Sequence, residues 1–230
     1  MNQQVTTGIV LARVEYGEAD RIITFLTPEA GKLRLMAKGV RRVKSKLAGG
    51  VELFSTTTIT YVKGRGDIGT LISARLATHY GHIVQDINRT MLGYDIIRRL
   101  NKITEDEPEP GYFHVLEESF KALDDPTVDA ELIKLWFTAQ LLKLGGYEPN
   151  LQTEPDGTRL SASQRYEFSF DDSAFIGRPD APYDAVSIKF LRLVFSGITP
   201  GVLQKVAGLE HLVLTTGQLV SLFARQYSRE

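Results

Sequence analysis

Lys32-Leu33-Arg34-Leu35-Met36-Ala37-Lys38 alternates hydrocarbon with charge. Successive side chains of a strand leave on opposite faces, so Leu33, Leu35 and Ala37 share one face while Lys32, Arg34, Met36 and Lys38 share the other. The first face suits a core and the second is cationic. Working outward, the period stays close to two from Val5 to Tyr80, with many β-branched residues and short turn clusters. That pattern predicts strands over 5–14, 21–27, 32–38, 52–62 and 69–78 and no long helix. Gly17, the stretch 28–31 and Gly64 with Gly66 supply the turns. Five twisted strands in so short a span predict a small closed barrel, since closure removes exposed edges; an OB-like barrel is the leading arrangement.

The chain has 230 residues, 43% apolar and 24% charged, which are globular values and exclude wholesale disorder. It holds no cysteine, so disulfides, thiolate zinc sites and cysteine nucleophiles are all excluded. No stretch approaches the roughly 20 apolar residues of a membrane span. Residues 1–7 have neither the basic start nor the apolar run of a signal peptide. A soluble, cytoplasmic protein is expected.

The net charge of −1 conceals a division. Residues 1–80 carry 12 Lys and Arg against 6 Asp and Glu, a net +6; residues 81–230 carry 15 against 22, a net −7. A basic front end points to a polyanionic partner. The cations concentrate after the third strand, where Gly39-Val40-Arg41-Arg42-Val43-Lys44-Ser45-Lys46 contains four cations and no acid. Lys32, Arg34, Lys38, Arg41, Arg42, Lys44 and Lys46, joined by Lys63 and Arg65 of the next hairpin, are therefore the expected nucleic-acid-binding residues. Phe25, Phe54 and Tyr61 are candidate stacking partners for bases. The competing reading is a solvated basic loop.

Gly64-Arg65-Gly66-Asp67-Ile68-Gly69 fits the dinucleotide pattern GxGxxG, but a strand follows where that motif needs a helix, so it reads as a hairpin turn. Beyond residue 80 the period becomes helical. Ile83, Ile87, Met91, Tyr94 and Ile97, extended by Leu100 and Ile103, predict one amphipathic helix over 82–103. An acidic, proline-broken connector follows at 105–110. A short helix carrying Phe113, Leu116, Phe120 and Leu123 stops at Asp124-Asp125-Pro126, and a third runs from Val128 to Gly145-Gly146. Short connectors predict that these three form an antiparallel bundle. Residues 147–183 lose the helical period; Tyr166, Phe168 and Phe170 alternate ahead of Asp171-Asp172-Ser173, which predicts a small hairpin. Helical signals return at 186–195, at Thr199-Pro200 and at 215–227. The fold class is α+β: an amino-terminal five-stranded barrel over 1–80 and a helical domain over 81–230 with an insert at 147–183.

Catalytic patterns are absent from the sequence. His79, His82 and Asp86 have a spacing that a metal would accept on one helical face, yet no fourth ligand is placed, and His114 and His211 stand alone. No Walker A loop, HExxH or GxSxG occurs. The chain reads as a non-enzyme without a cofactor.

Four blocks in one order carry a resemblance: Gly8-Ile9-Val10-Leu11, Tyr16-Gly17-Glu18-Ala19-Asp20-Arg21-Ile22, Phe25-Leu26-Thr27-Pro28-Glu29-Ala30-Gly31-Lys32 and Ala37-Lys38-Gly39-Val40-Arg41-Arg42-Val43-Lys44-Ser45. Together they resemble the amino-terminal signature of the RecO family of bacterial recombination mediators. Leu141-Leu142-Lys143-Leu144-Gly145-Gly146-Tyr147-Glu148-Pro149-Asn150-Leu151 resembles that family's approach to a zinc-binding insert. The resemblance implies an OB-fold followed by a helical domain with a zinc-ribbon-like insert. It also implies a nucleoid-associated role in DNA repair and recombination: binding single- and double-stranded DNA, annealing complementary strands, and acting with RecR to load RecA on DNA coated by single-stranded-DNA-binding protein (SSB).

Family members with metal carry a Cys-x-x-Cys pair where this chain has Thr153-Glu154-Pro155-Asp156, so the insert is expected to be metal-free. The resemblance further implies a pocket for the acidic SSB tail after residue 80, with Arg98, Arg99, Lys134, Lys143 and Arg192 as eligible cations. Two other readings fit the residues alone. One is a protein-interaction adaptor with a basic barrel; the other is an OB-type RNA-binding protein, which would prefer structured RNA.

Overall fold

The computed structural model describes residues 3–104 and 110–227. The expected acidic connector lies, but for Pro110, outside them. Five strands, β1 (Gln3–Tyr16), β2 (Asp20–Thr27), β3 (Gly31–Ala37), β4 (Ser55–Val62) and β5 (Ile68–His79), form a closed barrel in the order β1-β2-β3-β5-β4. Every neighbouring pair is antiparallel except β3 with β5, a parallel seam of three paired positions from Arg34–Ile68 to Met36–Thr70. The interior holds Val10, Ile23, Phe25, Leu35, Ile59, Tyr61 and Leu71, as the alternation required. The glycine-rich segment is the turn between β4 and β5. A Cβ on Gly64 would stand 2.1 Å from the Ile68 carbonyl oxygen, so that position admits only glycine.

The middle of β1, residues 8–11, and the end of β2, residues 25–27, are buried on both faces. Val10 and Phe25, cross-strand partners, point into the barrel, so the neighbouring pair Ile9 and Leu26 points outward. Yet Ile9 and Leu26 are fully buried as well. The cover is helical: α1 (Ile87–Ile103) packs on β1 and α2 (Pro110–Asp124) on β2, and the two helices pack on each other. Phe54, Tyr94 of α1, Phe120 of α2 and Tyr80 form an edge-to-face aromatic cluster with ring centroids 5.2 to 5.6 Å apart. Phe54 is held at a φ of 54°, a costly conformation for a side-chain-bearing residue, and its ring lies against Gly93.

The expected helix over 82–103 is interrupted. Residues 83–85 form a single 3-10 turn, and Asp86, in extended conformation, accepts a hydrogen bond from the Arg89 N–H to start α1 as its cap. A short acidic side chain competes for backbone donors, so it begins a helix more readily than it continues one.

The chain divides into two compact units, Met1–Pro126 and Thr127–Glu230. In the second, α3 (Ala130–Leu144) packs with α4 (Ala185–Ser196), α5 (Pro200–Leu203) and α6 (Leu209–Tyr227). The three-helix bundle expected from the sequence is therefore replaced by a different partnership: α1 pairs with α2, and α3 joins the later helices. The physical reason is that α3 buries Leu135 through Gln140 in one continuous run, so it needs cover all round. Between α3 and α4 lies the expected hairpin, β6 (Tyr166–Ser169) with β7 (Ala174–Gly177), whose Phe168 packs edge-to-face on Phe175 and on Phe223 of α6.

Candidate nucleic-acid interface

The basic loop after β3 is anchored at its root and open at its tip. Asp20, at the start of β2, accepts a hydrogen bond from the Gly39 N–H at 2.6 Å, and the Arg41 N–H donates to the Ala19 carbonyl at 3.0 Å. Gly39 turns the chain at a φ of 65°, and Val40 is buried in the barrel core. Two of the four sequence blocks that carry the resemblance thus hold one another. Beyond Val40 the chain leaves the core: Arg41, Arg42, Lys44 and Lys46 are exposed, and Val43 at the tip is fully so, at 103%.

The nine expected cations fall into distinct environments. Lys38 and the four loop cations are exposed, and among the described residues only Arg41 of these five is in an ion pair, with its guanidinium 3.4 Å from Glu15. That pair is solvent-exposed and contributes little. Lys32 is half-buried, and its ammonium donates to the Asn101 carbonyl at 2.8 Å in the last turn of α1. A cation there satisfies an orphan carbonyl and the negative end of the helix dipole, so Lys32 has a structural duty that its strand position did not reveal. Arg34, Lys63 and Arg65 are exposed, and Lys32, Arg34 and Lys63 line one cleft between β3 and the β4–β5 turn. The strand face and the loop it feeds therefore offer a run of exposed cations with no acid between Lys38 and Lys46.

The aromatic residues do not take the role expected of them. Phe25, Phe54 and Tyr61 are 0%, 2% and 3% exposed, so none presents a ring face for stacking. Phe25 fills the barrel and Phe54 joins the aromatic cluster. Burial, with Glu29 nearby, raises the Tyr61 hydroxyl above its ordinary pKa and keeps it neutral.

The histidine-based metal spacing dissolves. His79 ends β5, the His82 imidazole stands 3.4 Å from Asp124, and Asp86 caps α1, so the three do not share a helical face. Sequence reading left His114 alone, but the helix brings it beside Glu117 and Glu118, with ligand atoms within 4.8 Å of one another. The i, i+3, i+4 spacing is the signal that would have found this group. Both carboxylates already accept from the Lys121 ammonium, at 3.0 and 2.7 Å, and the hydrogen bond it donates to Glu118 foremost drives the Lys121 pKa upward.

The insert offers no fit for zinc. At its first turn Asn150 receives the Gln152 and Thr153 N–H groups and donates to the Thr153 hydroxyl, while Asp156 accepts from the Thr158 N–H. Opposite, the Gly177 N–H donates to the Glu154 carboxylate at 2.9 Å, and Arg165 donates to the Ala181 and Pro182 carbonyls. Hydrogen bonds link the two turns of the insert, and the donor set lacks the sulfur and imidazole ligands of a structural zinc site.

Of the other cations named for a peptide pocket, Lys143 donates to the Phe195 carbonyl and Arg192 to the Leu151 carbonyl, and Lys134 pairs with Glu131. Arg98 and Arg99 pair with Asp95, and Arg98 continues an exposed apolar stripe on α1 formed by Ile87, Met91 and Tyr94.

Residues 1–80 match the family model described as recombination protein O, N terminal, and residues 84–228 match that described as recombination protein O, C terminal. The chain is similar to the DNA repair protein RecO of Desulfatibacillum aliphaticivorans, 32% identical over 149 residues that cover 64% of this chain and 58% of that protein. It is similar also to the DNA repair protein RecO of Dehalococcoides mccartyi, 30% identical over 64% of this chain and 58% of the relative, and to that of Halalkalibacterium halodurans, 30% identical over 63% and 56%. The chain thus spans less than two thirds of the length of the curated relatives it matches. Among the described residues no helix is long and apolar enough to cross a membrane.

Proposed function

This chain belongs to the RecO family, and from that premise we propose that it is a non-enzymatic DNA-binding mediator of repair and recombination. The observation that carries the reading is the acid-free run of exposed cations from Lys38 to Lys46, continued by Arg34, by Lys63 across the cleft and by Arg65 on the same turn. Point charges on an anchored loop bind phosphates whatever the base sequence. A site that ignores sequence suits a protein that handles any strand, and neutralising the phosphates of two strands lowers the repulsion that opposes their annealing. Binding to single- and double-stranded DNA and annealing of complementary strands follow from one surface.

On the same reading residues 1–80 are the DNA-binding part and 81–230 the helical part, with 147–183 a metal-free counterpart of the zinc-ribbon insert. The named relatives are DNA repair proteins, and on this reading the chain works with RecR, the SSB tail and RecA. The α1 stripe of Ile87, Met91 and Tyr94 leading to Arg98 is the surface that best suits an acidic tail ending in an aromatic residue.

The test is an annealing assay with bare and SSB-coated complementary strands, run beside oligonucleotide binding over a salt series. A mediator anneals coated strands and binds unrelated sequences with a steep salt dependence. An adaptor that meets only acidic proteins would do neither, and a clear preference for structured RNA would identify an RNA-binding protein instead.

A further inference from the structure

Residues 1–80 contain five aromatic side chains, and four of them, Phe25, Phe54, Tyr61 and Tyr80, are at most 3% exposed. The fifth, Tyr16, is 56% exposed. Among the described residues its ring meets no other ring and its hydroxyl makes no hydrogen bond. Strand register fixes its surroundings. Tyr16 pairs with Asp20 across the β1–β2 turn, Val14 pairs with Ile22, and Ile22 pairs with Met36 of β3. Ile23 and Leu35, the chain neighbours of Ile22 and Met36, fill the barrel, so Tyr16, Val14, Ile22 and Met36 lie on its outer face. The helical cover reaches Ile9 and Leu26, but this end of the face is open: Val14 is exposed, and Ile22 and Met36 are half-buried. Arg34 shares the outer face and Lys38 follows the last residue of β3, both exposed.

The basic loop starts at the same place. Asp20, the cross-strand partner of Tyr16, accepts the Gly39 N–H, and the neighbouring Ala19 carbonyl accepts the Arg41 N–H. Of the acids here, Asp20 is thus engaged, Glu15 faces the other way and pairs with Arg21 and Arg41, and Glu18 sits in the turn. Cations hold phosphates and leave the bases untouched. An uncovered ring on an apolar strip edged by cations suits an unpaired base, which can stack on the ring while its phosphates meet the charges. In a duplex the base faces are already stacked on one another, and reaching one costs unstacking. We propose that Tyr16 is a base-stacking residue, and that the open end of the β1–β2–β3 face holds a single strand by its bases as well as its phosphates. The inference rests on the nucleic-acid reading above and deepens it: the ring gives the surface a preference for unpaired strands that charge alone does not confer.

The test measures binding of the full chain to an oligothymidine strand, to a duplex and to a strand of abasic sites of equal length, each over a salt series. Tyr16→Ala is expected to weaken oligothymidine binding about tenfold and to keep duplex affinity within about twofold. Its salt slope is expected to match the parent's, because no phosphate contact is lost. Tyr16→Phe, which keeps the ring, should bind as the parent does. On the abasic strand parent and Tyr16→Ala should bind alike. Iodouracil placed in the single strand should photocross-link to Tyr16 in the unaltered protein, which tests the contact directly should alanine disturb the β1–β2 turn. Unchanged oligothymidine affinity, equal losses on single strand and duplex, or cross-links confined to residues 41–46 would overturn the stacking role while leaving DNA binding intact. A parent protein that binds no oligonucleotide would overturn both readings.

Discussion

Replacing Arg41, Arg42, Lys44 and Lys46 together by alanine tests the loop as the principal phosphate contact. The four side chains are exposed, and the loop is held through its backbone and Val40, so the fold is expected to survive with an unchanged melting temperature. Arg41 is partly engaged by Glu15, which leaves Arg42, Lys44 and Lys46 as the three full contributors. Each phosphate contact of a single strand contributes about 0.7 to the slope of log affinity against log salt, so three removed contacts make the slope shallower by about two. Between 50 and 200 mM salt, the gap between parent and variant should therefore narrow by about 16-fold. Fluorescence anisotropy with two unrelated oligonucleotides at five or six salt concentrations measures this, and both sequences should respond alike. A variant that keeps its parent's slope and annealing rate would refute the reasoning, because DNA would then be bound elsewhere and the loop would serve only solubility or a protein partner.

Other consequences follow from packing and titration. Gly93→Ala places a Cβ 2.6 Å from the Phe54 ring, which Tyr94 and Phe120 hold in place; a loss of about 1–3 kcal/mol is expected in denaturant unfolding, and Phe54→Leu in the same chain should recover part of it. Asp184 caps α4 by accepting the Ser187 N–H, which lowers its pKa below the usual aspartate value. Its ionised form therefore stabilises the fold above the unfolded-state value of about 3.9, and this contribution is lost as pH falls through the lower folded value. Thermal unfolding from pH 2 to 6 should show that step in the parent and not in Asp184→Ala, which at neutral pH should be less stable by about 1 kcal/mol. Elemental analysis should find no stoichiometric zinc, and circular dichroism in chelator should be unchanged; one bound zinc per chain would contradict the donor set of the insert.

The barrel was legible because its signal is local. Alternation within β3 and the turn glycines needs no knowledge of distant residues, and the five expected strands coincide with the observed ones to within a few residues. The helical cover was half-legible: Gly8-Ile9-Val10-Leu11 and Phe25-Leu26 are unbroken apolar runs, a sign of burial on both faces, but nothing local says what lies on the second face. The break at Asp86 was readable as a cap signal ahead of Arg89, and helical periodicity overrode it. Lys32 could not be separated from Arg34 by any local rule, since its partner Asn101 lies 69 residues away. The cleft depends on where β5 starts against β3, a register set by closure of the whole barrel.

Burial of Ile9 and Leu26 on the outer wall bears on how this protein can be cut. A fragment ending near residue 80 would carry the complete hydrogen-bonded circuit of strands yet expose to water the patch that α1 and α2 now cover. Such a patch invites association between molecules. Expression fragments, crystallisation truncations and fusion partners should therefore be joined after Pro126, where the first compact unit ends, or else carry polar replacements at Ile9 and Leu26. For the same reason the barrel and its two helices should resist hydrogen exchange as one cooperative block, with no separate opening of the helical pair.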